Sequence, residues 1–355
     1  MTKVRFGIWF LIISTGAIPS SAAPPNVASV DFVVGTFLAS EGGTAKIEDF
    51  PLQRPFGIDF DSHGNMYVVE LEGGRIFKIV PKGEPHVISG DGSKSYRGDG
   101  GPIAQATYNG MHNIAINSED QAFIADSWNN CVRQIDLKSG TIQTCIGTGE
   151  AGFSGDGDMA LDAQFDFLMC VSLNPSGKAL YIADLKNLRI RKVDLETMRV
   201  STVAGNSQNG IPEDGASAVE SPLVDPRAVA VDSQDRVYIL ERGGHALRRV
   251  GTDGRIQTVA GTGKKGFSNG AALQSQFDSP KHICVDEHDR VFVADDTNAA
   301  IRCYDPATET VSTILGQGFG DKRITLHQPH GVTIEKGVLY VCDTSHNRIV
   351  KVVFE

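Results

Sequence analysis

The stretch Gly147–Phe165, GTGEAGFSGDGDMALDAQF, decides the fold. Gly147, Gly149 and Gly152 spell G-x-G-x-x-G, which raises the question of a dinucleotide loop. Such a loop needs a strand before it, a helix after it to aim its N-terminus at pyrophosphate, and an acid about 20 residues on. Here a short polar segment follows, and the chain turns extended again at CVSLNP from Cys170. The motif also returns as GTGKKGFSNGAALQSQF at 261–277 and, more loosely, as GDGSKSYRGDGGPIAQATY at 90–108. A cofactor loop occurs once, so a loop repeated along the chain is a connector.

Between the connectors an apolar run ends in a carboxylate six times: Glu70, Asp126, Asp184, Glu241, Asp295 and Asp343, spaced 56, 58, 57, 54 and 48 residues apart. That is the signature of a repeat array with variable loops. Each copy adds an extended run upstream (HNIAIN from His112), another downstream (RIRKVD from Arg189) and a fourth before the glycine loop (TVAG from Thr202). Alternation and Val/Ile/Tyr/Phe enrichment, punctuated by Gly, Asp and Asn, make these short strands, four per copy. Four-stranded antiparallel units cannot bury their faces singly, and radial stacking satisfies them with only short edges left over. The fold class expected is therefore all-β, a six-bladed β-propeller. The last copy ends at Glu355 after its third strand, and VDFVVGTF at 30–37 carries Gly35 and Thr36 where the other copies carry theirs. The N-terminal strand is expected to complete the last blade and close the ring.

The chain's beginning reads as an export leader over 1–22: Lys3 and Arg5, an apolar run Phe6–Ile18, and small residues up to Ala22. Residues 23–355 are then one propeller, exported to a periplasm or the exterior. Losing Lys3 and Arg5 takes the formal net charge from −10 to −12, and no basic tract offsets it. Nucleic acid is excluded as a partner on these grounds, and no later run is apolar enough for membrane insertion.

GKALYIADLKNLRIRKVDLETMRVSTVAG at 177–205 and GVLYVCDTSHNRIVKV at 337–352, with the GTGxxGFS connectors, resemble the NHL-repeat six-bladed propellers. More distantly the chain is similar to lactonase-like and peptidylamidoglycolate lyase propellers. The resemblance implies a fold, whereas function has to come from the site, because such propellers include binding modules and enzymes alike.

The six repeated carboxylates are expected to cap tight turns, since regularity in a repeat reports the repeat. Positions where the copies disagree are freer to specify a ligand. At the start of each innermost strand stand Phe56, His112, Met169, Arg227, Lys281 and His330, followed by Gly57, Asn113, Cys170, Ala228, His282 and Gly331. The first six are the candidate site at one mouth of the central channel. Arg227 and Lys281 would attract an anion, His112 and His330 would donate hydrogen bonds, and Phe56 and Met169 would give apolar contact. The partner expected is a protein or a small anionic ligand, with no cofactor. The alternative is a lyase or hydrolase using zinc or another divalent metal held by His112, His282 and His330, although His282 is one register off the other two.

Asp99, Asp156 and Asp158 lack the spacing of a calcium loop and are read as connector structure. Trp128 stands at a turn, where it covers an apolar gap or marks a binding face. Among six cysteines in an exported chain, Cys131 and Cys145 flank one turn and are the candidate disulfide. Cys170, Cys284, Cys303 and Cys342 read as buried thiols.

Overall fold

The computed structural model describes residues 25–44 and 50–355. The export leader read at 1–22 lies outside the described residues. Six antiparallel sheets follow one another along the chain, and each is a blade. The first consists of Pro55–Phe60, Met66–Glu70, Ile76–Ile79 and His86–Ser89, in that spatial order from the channel outward. The innermost strands of the next five are Met111–Ile116, Leu168–Leu173, Pro226–Val231, His282–Val285 and Pro329–Glu335. Each innermost strand touches the innermost strand of the next blade, and the sixth touches the first, so the ring is closed.

Closure is made as the sequence implies. Val27–Val34 pairs antiparallel with Arg348–Phe354, Val30 opposite Val352 and Phe32 opposite Val350, so the N-terminal strand is the outermost strand of blade six. Other elements among the described residues are 3₁₀ turns, in the connectors and in the second-to-third strand turns of blades two and six, and two short edge strands. Apolar faces of neighbouring sheets interlock: Ala183 and Ile190 of blade three share one continuous core with Val229 and Leu247 of blade four.

The repeated carboxylates do more than cap turns. All six are fully buried. Each accepts a backbone N–H from the connector entering its own blade: Gln53 for Glu70, Asn109 for Asp126, Asp166 for Asp184, Val224 for Glu241, Asp278 for Asp295 and His327 for Asp343. Each also meets an arginine, at 2.7 Å for Arg75–Glu70 and Arg248–Glu241, 2.8 Å for Arg302–Asp295 and Arg348–Asp343, and 3.5 Å for Arg133–Asp126 and Arg191–Asp184. The unit is a latch tying the connector to the second and third strands. Asp99 and Asp156 belong to it, pairing with Arg133 at 2.6 Å and Arg191 at 2.8 Å. The carboxylate of Arg97-Gly98-Asp99 is thus committed inside its own blade.

Cys131 and Cys145 are free and buried, so the expected disulfide is not formed. Their strands pair Val132 with Ile146 and Arg133 with Thr144, which leaves Cys145 on a bulge with its thiol turned to the Val132 carbonyl.

Candidate functional site

Every innermost strand is entered through a residue in the left-handed region, two positions before the ring residue. These are Arg54, Gly110, Phe167, Asp225, Ser279 and Gln328, with φ between 52° and 72°. Left-handed backbone turns the chain sharply from the connector into the strand, so all six ring residues arrive at one mouth at the same height. The structure brings Phe56, His112, Met169, Arg227 and His330 together there, all buried, with Lys281 partly exposed.

The mouth is plugged by its own side chains. Arg227 of blade four reaches across the channel and donates from Nη2 to His330 Nε2 of blade six at 3.1 Å. His330 Nδ1 lies 3.1 Å from the Phe56 carbonyl, which can only accept, so the proton sits on Nδ1 and leaves Nε2 for the guanidinium. The His330 ring is also stacked on Phe56 at 3.8 Å between centroids. His112 Nδ1 lies 2.9 Å from the Gly110 carbonyl and 2.8 Å from Ser127 Oγ; the carbonyl can only accept, so the proton sits on Nδ1 and Nε2 is an acceptor with no protein partner among the described residues. The two histidines therefore offer acceptors, not the donors the sequence suggested, because the connector carbonyls have taken their protons.

Burial and the charge of Arg227 hold His112 down at about 3 and His330 well below the usual imidazole value. His282 is lowered to about 4, chiefly by burial. All three rings are neutral near pH 7. They do not converge on a point: His282 binds Asn113 at 2.9 Å, its ring lies 6.2 Å from that of His330, and both nitrogens of His330 are spent. Among the described residues no three His, Cys, Asp or Glu side chains are placed to hold a metal ion. The three-histidine ligand set fails on this geometry.

Arg227 is 94% buried, no carboxylate lies within salt-bridge distance of it among the described residues, and its Nε has no acceptor. Burial, with Arg242 nearby, lowers its pKa to about 10. Lys281 is lowered too, by burial and by Arg227. Two acids lie near them: Asp296 is 3.8 Å from Lys281 Nζ and raised by burial against the pull of both cations, and Asp225 is taken by Arg242 at 2.6 Å.

Opposite the cations stands an aromatic wall. Trp128 and Phe167 lie 5.9 Å apart, and their rings meet His112 edge-on at 5.4 and 5.6 Å. Trp128 can lie there because Gly110 is a glycine: a Cβ at that position would sit 1.6 Å from the indole Cε3. Trp128 thus fills a gap against Gly110 while the residue as a whole stays 42% exposed. The chain has two tryptophans, Trp9 and Trp128, so in a protein made from residue 23 onward Trp128 is the sole reporter. Gly110→Ala is expected to expel the indole, shifting Trp128 emission to the red and costing about 1–3 kcal/mol of stability. Unchanged emission would mean that Trp128 is not seated on Gly110.

Sequence reading missed Asp296, Asp225, Arg242 and Phe167. A signal existed, since Arg242 and Asp296 directly follow a latch carboxylate, and Asp225 and Phe167 stand two places before a ring residue.

Beneath the plug, a narrow cavity of about 180 Å³ runs to the opposite mouth. It ends on Asn113 and His282 and passes Ser172, Cys284, Thr333 and Asp59. Burial outweighs two backbone N–H bonds to Asp59, from Ile116 and Phe60, and raises its pKa to about 7.

The fold and its plugged channel define the class: a six-bladed β-propeller of four-stranded blades. Its last blade carries an NHL repeat, matched by the model of that repeat over residues 326–352. The chain is 27% identical over 271 residues to Protein SUPPRESSOR OF QUENCHING 1, chloroplastic, of Arabidopsis thaliana, covering 73% of this chain and 25% of that protein. It is 29% identical over 273 residues to the human NHL repeat-containing protein 2, covering 66% of this chain and 37% of that one. The chain thus spans between a quarter and two fifths of these relatives. Among solved structures, an auxiliary nutrient binding protein from Bacteroides thetaiotaomicron superposes with a TM-score of 0.65 at 15% identity over 92% of this chain and 76% of that one. Among the described residues no helix is long and apolar enough to cross a membrane.

Proposed function

We propose that this NHL-type propeller is an exported binding module that takes an anionic ligand at the plugged mouth of its channel. The carrying observation is Arg227, a desolvated guanidinium that, among the described residues, has no carboxylate within salt-bridge distance and an Nε without acceptor. A buried cation left in that state is costly, and an arriving carboxylate or sulfate relieves it with charge-assisted hydrogen bonds. Lys281 adds a second charge from the neighbouring blade, and the neutral His330 holds the guanidinium in place. The basic leader residues followed by an apolar run support export. The solved neighbour described as a nutrient binding protein accords with a binding role on this fold.

The test is titration of the leaderless protein with sulfate and with benzoate, followed by Trp128 fluorescence and calorimetry. Saturable binding is expected, and Arg227→Gln with Lys281→Gln should weaken it by about 100-fold, as loss of two partly buried charge contacts implies. If the double variant binds both anions as the parent does, the mouth is not the site.

A further inference from the structure

The geometry points to a dicarboxylate as the ligand class of the mouth, with one carboxylate at Arg227 and Lys281 and the other at Arg54; this rests on the anion-site reading above. Arg54 is a second idle guanidinium at the same mouth, and a small anion seated at Arg227 leaves it unmet.

Arg54 enters blade one in the left-handed region, two places before Phe56, and its backbone N–H is held by Asn347 Oδ1 of blade six at 2.9 Å. The backbone is thus tied down at the rim. The guanidinium nevertheless makes no hydrogen bond and no ion pair with any described residue, and its Nε is buried without an acceptor. An Nε in that state is not by itself a site, since Arg189 and Arg302 have one as well. In those two the rest of the fork is used: Arg189 Nη1 donates to the Gly205 carbonyl, and both Nη groups of Arg302 are bonded, to Asp295 and the Gln276 carbonyl and to Asn269 and the Ser268 carbonyl. Arg227 has only the neutral His330, and Arg54 has nothing. A guanidinium presents five donors in a planar fork that matches a carboxylate bidentately, so each of these two has room for one.

Charge sets the number of anionic groups. The acids that weigh most on Arg227 and Lys281 are Asp225 and Asp296, and Asp225 is spent on Arg242 at 2.6 Å. Asp296 then answers to Lys281, Arg227 and Arg54 together, and three cations against one ionised carboxylate leave two positive charges over. Two carboxylates cancel that excess. Two phosphate groups, at about two charges each, would overshoot it. A sulfate carries both charges at one point, whereas the two guanidinium groups come from blades one and four, which face each other across the ring. A ligand that engages both needs its two charges held apart by a spacer.

The experiment titrates the leaderless protein by calorimetry with succinate, glutarate, adipate and pimelate, with the monomethyl ester of each, and with sulfate. The best-fitting dicarboxylate is expected to bind about 30-fold more tightly than its own monoester and than sulfate, the size of one hydrogen-bonded contact to a charged group. Arg54→Gln should bring that dicarboxylate to within about threefold of its monoester while changing sulfate affinity by less than about threefold, with a circular dichroism spectrum matching the parent's. If the monoesters or sulfate bind as tightly as every dicarboxylate in an Arg227-dependent way, the dicarboxylate inference is overturned and the anion site stands. The same follows if a folded Arg54→Gln keeps the full preference for the dicarboxylate. If none of the ligands binds, both readings fall. The comparison of each dicarboxylate with its monoester in the parent protein decides the matter even where Arg54→Gln does not fold.

Discussion

Arg191→Ala is expected to lower the free energy of unfolding by about 3–5 kcal/mol, measured by urea denaturation. Arg191 is fully buried. It reaches Asp156 at 2.8 Å, the Ser154 carbonyl at 3.0 Å and Asp184 at 3.5 Å, and its guanidinium lies over Phe153 and Phe165 at 4.8 and 5.0 Å. Alanine would leave the fully buried Asp184 with only Asn187 and the Asp166 N–H as donors, and a carboxylate buried without its cation bears most of the cost. The comparison is Lys178→Ala, which breaks the exposed 2.8 Å pair with Glu196 and should cost less than about 1 kcal/mol. Equal costs for the two variants would refute the latch.

The second large effect concerns the identity of the acid. Four latches use aspartate and two use glutamate, and the residue three places on follows the choice. It is Asn129, Asn187, Asn298 or His346 after aspartate, each bonding back to the carboxylate, and Gly73 or Gly244 after glutamate. The reason is space. The extra methylene pushes the carboxylate into the turn, where a Cβ on Gly73 would stand 1.8 Å from Glu70 Oε2 and one on Gly244 2.4 Å from Glu241 Oε2. Asp184→Glu is therefore expected to cost about 2–3 kcal/mol through overpacking against Asn187. Adding Asn187→Gly should recover about 1–2 kcal/mol of it, a coupling of the size seen between residues in contact. Additive effects in the double variant would show that the pairing has no steric cause.

This pairing marks where reading along the chain stops. Six copies, four strands each, and closure by the N-terminal strand were legible because each is local or periodic: alternation defines a strand, the returning glycine connector defines a repeat, and one copy lacking its fourth strand defines the join. The ring of Phe56, His112, Met169, Arg227, Lys281 and His330 was legible as well, because a repeat dictates which position faces the channel while leaving its residue free.

The connections across that ring were not. Arg227 and His330 are 103 residues apart, and only the curvature of six stacked blades places one nitrogen 3.1 Å from the other. The protons of His112 and His330 go to the carbonyls of Gly110 and Phe56, which turns two expected donors into acceptors. The candidate disulfide failed for a related reason, since a bulge between Thr144 and Ile146 shifts the register that spacing alone implied. The sequence by itself determined the propeller and the membership of the mouth, both set by short-range pattern. Which groups in the mouth remain unpaired was decided by the tertiary structure alone, because hydrogen bonding there depends on distances between blades that no local pattern encodes.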